Sequence, residues 1–318
     1  MNQTPVRNKL LLKTRSLTIP PSPQMQKLGY GTGVTVYKLD REQNGSPWVL
    51  KKVSRKGPRH EEMSMRLKIE ASILKTLNHP NIVGFRALLQ ESDGRKCIAM
   101  EDCTISLGDL IEKRVYDDEI HSPFPADKIE KVLKDVAEGL NYLHNEALVL
   151  HCDIKSYNIL VKNEFQICKI CDFGVSMPLK KDGTLDYSKT GDEAEFVGTD
   201  PWCAPEILQE GQVITVKADI FAYGLCLWEM IALKTPYVTS DDDSQLNDSK
   251  YEDDSEEDEV EEELLSVRKR PKVPCEYLDD TYLPILQIYY LCTEQDYKKR
   301  PNSKDLCKII KELTFEEK

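Results

Sequence analysis

The sequence predicts an α+β fold in two lobes, the first mainly β and the second mainly α. Strand patterns punctuated by turn residues cover Lys27 to Val53 and Ala87 to Met100, on either side of one helical stretch, and helical spacing dominates beyond them. A chain of 318 residues is also long enough for two lobes with a sizeable core.

From Lys27 to Val53 the pattern reads strand, Gly-rich turn, strand, a turn at Asn44-Gly45, and strand. Glu61 to Leu77 has helical spacing, and Ala87 to Met100 reads as two strands around a turn at Asp93-Gly94. A hinge is expected near Glu101 to Ser106, and clefts between lobes are common ligand sites. Ile129, Val132, Leu133, Val136, Ala137, Leu140 and Leu143 then repeat at helical spacing, and Ala218 to Leu233 forms an apolar helix interrupted only by Asp219 and Glu229. Residues 1–23, with four prolines and no periodicity, read as a flexible tail, so the expected division is 1–23 tail, 24–102 first lobe and 103–318 second lobe.

The net charge of −12 is mostly local. Asp241 to Glu263 holds 14 acidic residues and one Lys, a net of −13, so the remainder sums to about +1. Like charges at that density do not pack, and a disordered insertion over 240–263 is expected. No basic stripe with interleaved aromatics is present, so nucleic acid is not an expected partner. No run of 18 apolar residues occurs, so no membrane span is expected, and Met1 to Leu17 lacks the apolar centre of a secretion signal. Ten scattered cysteines then read as free thiols in a reducing compartment, cytoplasmic or nuclear. The single C-x-x-C, Cys168 and Cys171, lies in the strand-like run Phe165 to Cys171 and reads as two buried structural thiols rather than a metal site. The sequence carries no signal for an oligomeric state.

Seven short motifs carry chemistry. Leu28-Gly29-Tyr30-Gly31-Thr32-Gly33-Val34, followed by Val36, puts glycines between two strands, where backbone N–H groups can approach phosphates. Lys51 ends an apolar strand 15 residues after Val36, at the spacing of the V-A-I-K strand. Alternation puts only one of Lys51 and Lys52 on the inner face, leaving Lys52 as the exposed one. Glu70 shares a helical face with Met63, Leu67, Ile73, Leu74 and Leu77, and a buried carboxylate there needs a cation, for which Lys51 is the candidate. In His151-Cys152-Asp153-Ile154-Lys155-Ser156-Tyr157-Asn158 a base, a cation and a metal ligand stand within six residues. Asp172-Phe173-Gly174 follows Asn158 by 14 residues, with Gly174 expected to permit the sharp turn. Ala204-Pro205-Glu206 with a distant Arg300, and Asp219, complete the set.

These are the parts that phosphoryl transfer from ATP needs: phosphates covered, Mg²⁺ held, charge offset and the nucleophile placed. Asp153 would accept the proton of a substrate hydroxyl, Lys155 would offset charge on the moving group, and Asn158 and Asp172 would bind Mg²⁺. In this order the motifs resemble the protein-kinase superfamily from about Met25 to Leu313. The resemblance implies the two-lobed protein-kinase fold. It also implies that Met100, Glu101 and Cys103 border the adenine, that Glu206 pairs with Arg300, that Asp219 braces the catalytic-loop backbone, and that Thr199 braces Asp153 and Lys155. Strings such as Pro23-x-Met25-Gln26-Lys27-Leu28, Ser46-Pro47-Trp48 and Lys217-Ala218-Asp219-Ile220-Phe221-Ala222 resemble a mitogen-activated-kinase-kinase-like subfamily linked to mitosis and proliferation signalling. Lys155 and Thr199 resemble enzymes that phosphorylate Ser or Thr of protein substrates, with a dual-specificity enzyme that also takes Tyr left open. The rival reading is a pseudokinase scaffold that binds partners without catalysis. It requires loss of Lys51, Asp153 or Asp172, and all three are present.

Three departures stand out. Gly33 stands one place earlier than G-x-G-x-x-G asks. Cys152 replaces the Arg of H-R-D, which removes one anchor for a phosphate on the segment Asp172 to Glu206, so activity is expected to depend less on phosphorylation there. A PDZ-domain ligand ends in an apolar residue, whereas this chain ends in Lys318, so PDZ-domain binding is not expected.

Overall fold

The computed structural model describes residues 25–31, 34–41, 45–53, 60–90, 95–103, 105–116, 122–190, 196–209, 212–238, 269–274 and 278–313. The expected tail (1–23), the acidic insertion (240–263), Thr32, Gly33, Asn44, Asp93-Gly94 and the end of the chain (314–318) lie outside these residues. The chain divides into two compact units. One runs to Leu67 and includes Phe85–Asp102; the other takes Lys68–Gly84 and the residues from Cys103 onward.

The first unit is built on a five-stranded antiparallel sheet of β1 (Met25–Gly31), β2 (Val34–Arg41), β3 (Gly45–Val53), β4 (Phe85–Gln90) and β5 (Lys96–Glu101), in the order β1-β2-β3-β5-β4. Period-2 alternation sends Leu50, Leu89, Cys97 and Ala99 into a core covered by Tyr37, Leu39 and Trp48. Lys52 corrects an expectation. The alternation that makes Lys51 half-buried puts Lys52 on the Leu50 face, where it is 9% exposed with its Nζ 5.1 Å from the Tyr37 ring centroid. A long aliphatic stem and a cation over an aromatic face make that burial tolerable.

Helix α1 (His60–Leu74) starts with Glu61 and Glu62 in its first turn, favourable against the helix dipole. It was expected to reach Leu77. Instead Thr76 and Leu77 switch to i→i−3 bonds onto Ile73 and Leu74, and the Thr76 hydroxyl also donates to the Ile73 carbonyl at 2.7 Å. That tightened turn ends the helix before Pro80.

The second unit is mainly helical: α2 (Leu107–Val115), α3 (Ala126–Tyr142), the single turn α4 (Tyr187–Thr190), α5 (Lys217–Ala232), α6 (Leu283–Cys292) and α7 (Ser303–Glu312). Two small sheets carry its loops. One orders β6 (Ile105–Ser106), β8 (Ile159–Lys162) and β9 (Ile167–Ile170); the other pairs β7 (Val149–Leu150) with β10 (Met177–Pro178). Ser106 caps α2 by accepting from the Asp109 N–H at 3.0 Å. The predicted stripe of α3 is buried, and it lies so close to β9 that a Cβ on Gly139 would stand 2.9 Å from Ile170 Cδ1. Helix α5 is buried from Ala218 to Ile231, which is why it shows no polar face. Cys168 is buried with its thiol pushed up to about 12, chiefly by desolvation, but Cys171 lies beyond the end of β9 and is only half-buried. The expectation of two buried thiols therefore holds for one.

Arg300 ties three segments together from a site where it is 1% exposed. Its guanidinium forks onto both oxygens of Glu206 at 2.7 and 2.8 Å, donates to the carbonyls of Glu294 and Lys217, and lies over the Phe221 ring of α5. Glu206→Ala leaves that charge buried without its partner, so a loss of about 3–5 kcal/mol is expected in denaturant unfolding. A change under about 1 kcal/mol would show the pair to be dispensable.

Candidate active site

The loop between β7 and β8 is set by one carboxylate. Asp219, in the first turn of α5, accepts the backbone N–H of His151 at 2.8 Å on Oδ2 and that of Cys152 at 3.0 Å on Oδ1. His144 Nε2 reaches Oδ2 as well, at 2.9 Å. Both amides point at one side chain because Cys152 adopts φ 68°, a left-handed conformation that costs a non-glycine residue on the order of 1–3 kcal/mol. The cost is met because Asp219, 1% exposed, would otherwise be a bare charge in the core.

His151 extends the same order towards the β9 side. Its Nδ1 accepts the Asp153 N–H at 3.2 Å, which leaves Nε2 protonated and donating to the Cys171 carbonyl at 2.9 Å. Its ring meets Phe173 edge-on, 5.0 Å between centroids. Cys171 N–H in turn bonds the Asn158 carbonyl. Asp172 itself takes the left-handed conformation at φ 65°, while Gly174 does not. The turn expected at the glycine is therefore made at the acid, one of the few side chains that tolerate it.

On this frame the Asp153 carboxylate is held by three donors. Thr199 Oγ1 donates to Oδ1 at 2.6 Å; Lys155 Nζ stands 2.9 Å and Asn158 Nδ2 3.0 Å from Oδ2. Lys155 also donates to Thr199 Oγ1 at 2.6 Å, closing a small ring of Asp, Lys and Thr. Gly198 lets Thr199 approach: a Cβ there would stand 2.8 Å from Cys203 Sγ and 3.1 Å from the Cys152 carbonyl. Asp153 lines a small cavity with Cys152, Phe196, Thr199, Trp202 and Cys203. The Asn158 amide nitrogen is used on Asp153, so its oxygen is the atom left to face a cation. Asn158 and Asp172 are the residues that could hold a cation, and oxygen donors of this kind suit a hard ion such as Mg²⁺.

Cys152 points into an apolar cluster of Leu150, Met177, Leu179, Leu185 and Val216, with Val175 and Phe196 against it. Its thiol is pushed well up, first by burial and then by Asp219, which disfavours the reactive thiolate at neutral pH.

The remaining predicted residues are divided between the two units. Lys51, Val34, Val36, Met100 and Glu101 belong to the sheet unit. Val34, Val36 and Lys51 are half-buried, Met100 is buried, and Glu101 Oε2 lies 3.8 Å from Arg86. The backbones of Leu28, Gly29, Tyr30 and Gly31 form the end of β1. Glu70, 1% exposed on α1, and Cys103, also buried, belong to the other unit.

The sequence reading passed over Glu229. It is 3% exposed in the last turn of α5, where its Oε1 accepts the Ser156 hydroxyl at 2.9 Å and its Oε2 accepts the Trp202 indole N–H at 2.7 Å. Desolvation raises its pKa to about 8 against these bonds. The signal was available: an acid inside an apolar helix, the reasoning applied to Glu70.

A protein-kinase-domain family matches residues 23–311. The human lymphokine-activated killer T-cell-originated protein kinase is 42% identical over 310 residues, 96% of this chain and 94% of the human one. A probable serine/threonine-protein kinase of Dictyostelium discoideum, drkC, is 32% identical over 230 residues, 72% of this chain and 29% of its own length. The dual specificity protein kinase shkD of the same organism is 26% identical over 268 residues, 83% of this chain and 32% of its own.

Glu229 also sets a pH dependence of stability. Folded, it holds its proton to about pH 8; its ordinary value is 4.5, so between the two the folded state carries the extra proton. Its contribution is fully present below about 4.5 and is lost as pH rises through about 8, a change on the order of a few kcal/mol. Glu229→Gln is expected to flatten that part of the stability–pH curve in denaturant titrations. An unchanged slope would show that the carboxyl does not titrate in this range.

Proposed function

Since the chain belongs to the protein kinase family and is a protein serine/threonine kinase, we propose that it transfers the γ-phosphoryl group of ATP to Ser or Thr hydroxyls of protein substrates, with Asp153 accepting the hydroxyl proton. The observation that carries this reading is the Asp153 carboxylate itself, fixed by Thr199, Lys155 and Asn158 at 2.6–3.0 Å and facing a cavity. Three donors keep it aimed, as a proton acceptor in transfer chemistry must be. Lys155 adds positive charge beside it for the moving phosphoryl group, and Thr199 sets the distance between the two. Asn158 and Asp172 hold Mg²⁺, which when bound neutralises phosphate charge. From the family pattern, Lys51 and the glycine segment Gly29 to Gly33 serve the phosphates, Glu70 positions this machinery, and Met100, Glu101 and Cys103 serve the adenine.

Tyr belongs to the acceptors as well in the dual-specificity form of this reading, in line with the naming of shkD. The subfamily motifs support a role in mitotic and proliferation signalling. Nine free thiols among the described residues suit the cytoplasm or nucleus, and no helix among those residues is long and apolar enough to cross a membrane. The apolar packing of Cys152 supports a segment after Asp172 that is held without a phosphate.

Radiolabelled ATP transfer to generic protein substrates tests the assignment. Asp153→Ala is expected to lower kcat about 10²–10⁴-fold while ATP affinity stays within a few-fold, and wild-type turnover in that variant would overturn it. Label confined to Tyr in a peptide library would refute the Ser/Thr specificity. Phosphatase treatment is expected to leave the rate within about threefold, since no phosphate-binding Arg stands at position 152; silence until one Ser or Thr between Asp172 and Glu206 is phosphorylated would reject that part.

A further inference from the structure

We infer that Glu229 is a positioning residue for phosphoryl transfer, a buried carboxyl that holds Ser156 of the Asp153 loop and Trp202 of the Thr199 segment at a fixed separation. The inference rests on the assignment of Asp153 as proton acceptor and adds a residue that never meets the substrate.

The argument is geometric. Ser156 is the residue after Lys155, and Trp202 ends the short turn Asp200–Trp202, whose N–H bonds back to the Thr199 carbonyl at 3.0 Å. The Lys155–Thr199 and Thr199–Asp153 bonds, both 2.6 Å, bridge the same two segments. Those bonds can stay that short only if the backbones beneath them keep their spacing, and Glu229 spans that gap from a rigid helix, with one oxygen for each side. An acid 3% exposed whose two oxygens each accept from one of these segments is placed to hold them together.

The groups facing it explain what its proton does. Ser156 and Tyr157 approach from the loop, Trp202 from the Thr199 segment and Cys226 from its own helix; Asp153 acts on Cys226 nearby. Burial raises the Tyr157 phenol and the Cys226 thiol, so both stay neutral at physiological pH. Glu229 is then the group among these that changes charge in the range where the enzyme is assayed, with its midpoint near pH 8. Ionisation places a negative charge in an apolar core, a cost that the bonds from Ser156, Trp202 and Cys226 offset only in part, so the arrangement built on the bracket is less stable above that midpoint.

The test measures kcat and KM from about pH 6.5 to 9 on the full chain with Mg–ATP and a generic protein substrate, for wild type, Glu229→Gln, Glu229→Ala, Trp202→Phe and Asp153→Ala. Wild-type kcat is expected to fall as pH rises through about 8. Glu229→Ala should lose about tenfold or more in kcat with KM for ATP within about threefold, and Trp202→Phe should shift in the same direction by less. Glu229→Gln, a neutral amide of the same shape, should recover most of the rate near pH 7 and lack the fall near pH 8. Wild-type kcat in a folded Glu229→Ala, or a Glu229→Gln profile that tracks the wild type, overturns the inference. Should Glu229→Ala fail to fold, wild-type behaviour of both Glu229→Gln and Trp202→Phe overturns it equally. Asp153→Ala separates the two claims: an active variant removes the proton-acceptor assignment, whereas an inactive one beside wild-type-like Glu229 variants removes only this one.

Discussion

The backbone of the loop that leads into Asp153 is referred to one buried carboxylate, Asp219. It converts two backbone amides and an imidazole into a fixed bracket around residues 151 and 152. A backbone N–H is an obligatory donor, and a buried carboxylate is an obligatory acceptor, so each removes the other's desolvation cost. The left-handed Cys152 is the deformation this exchange requires. Asp153 follows immediately in the chain, so its direction is inherited from a bond it does not itself make.

The helix that carries Asp219 does more than anchor that loop. Over one buried length, α5 offers Asp219 to the loop, Phe221 to the Arg300 guanidinium, the Tyr223 hydroxyl to the Leu133 carbonyl of α3, and Glu229 to Ser156 and Trp202. An apolar helix with sparse polar residues is well suited to this. Its apolar surface fixes its place by packing, and each polar side chain is then free to satisfy a group on a different segment.

The strands of the first unit, the main helices and the grouping of Asp153, Lys155 and Asn158 were legible in the sequence, because they are written in local spacing: alternation in β2 and β3, the stripe of α3, and D-x-K-x-x-N. Expectations failed where the outcome depended on a neighbour distant in the chain. Lys52 is buried because Tyr37, on the adjacent strand, offers it a ring. The turn after β9 forms at Asp172 rather than Gly174, although glycine is the residue that local propensity favours there. The strands β6, β7 and β10, two residues each, are too short to show a period and exist only through their partners. Glu229 was visible as an acid in an apolar run, but its partners, 73 and 27 residues away, were not.

Where other sequences with the H-R-D pattern place a guanidinium, this chain inserts a thiol into a nest of Leu, Met and Val side chains. Contacts between charges are screened by salt and switched by phosphate; contacts between apolar side chains respond to neither, but they weaken as water cools. The segment that follows Phe173 is thus fastened, beside the pairing of β10 with β7, by contacts whose natural variable is temperature rather than ionic strength.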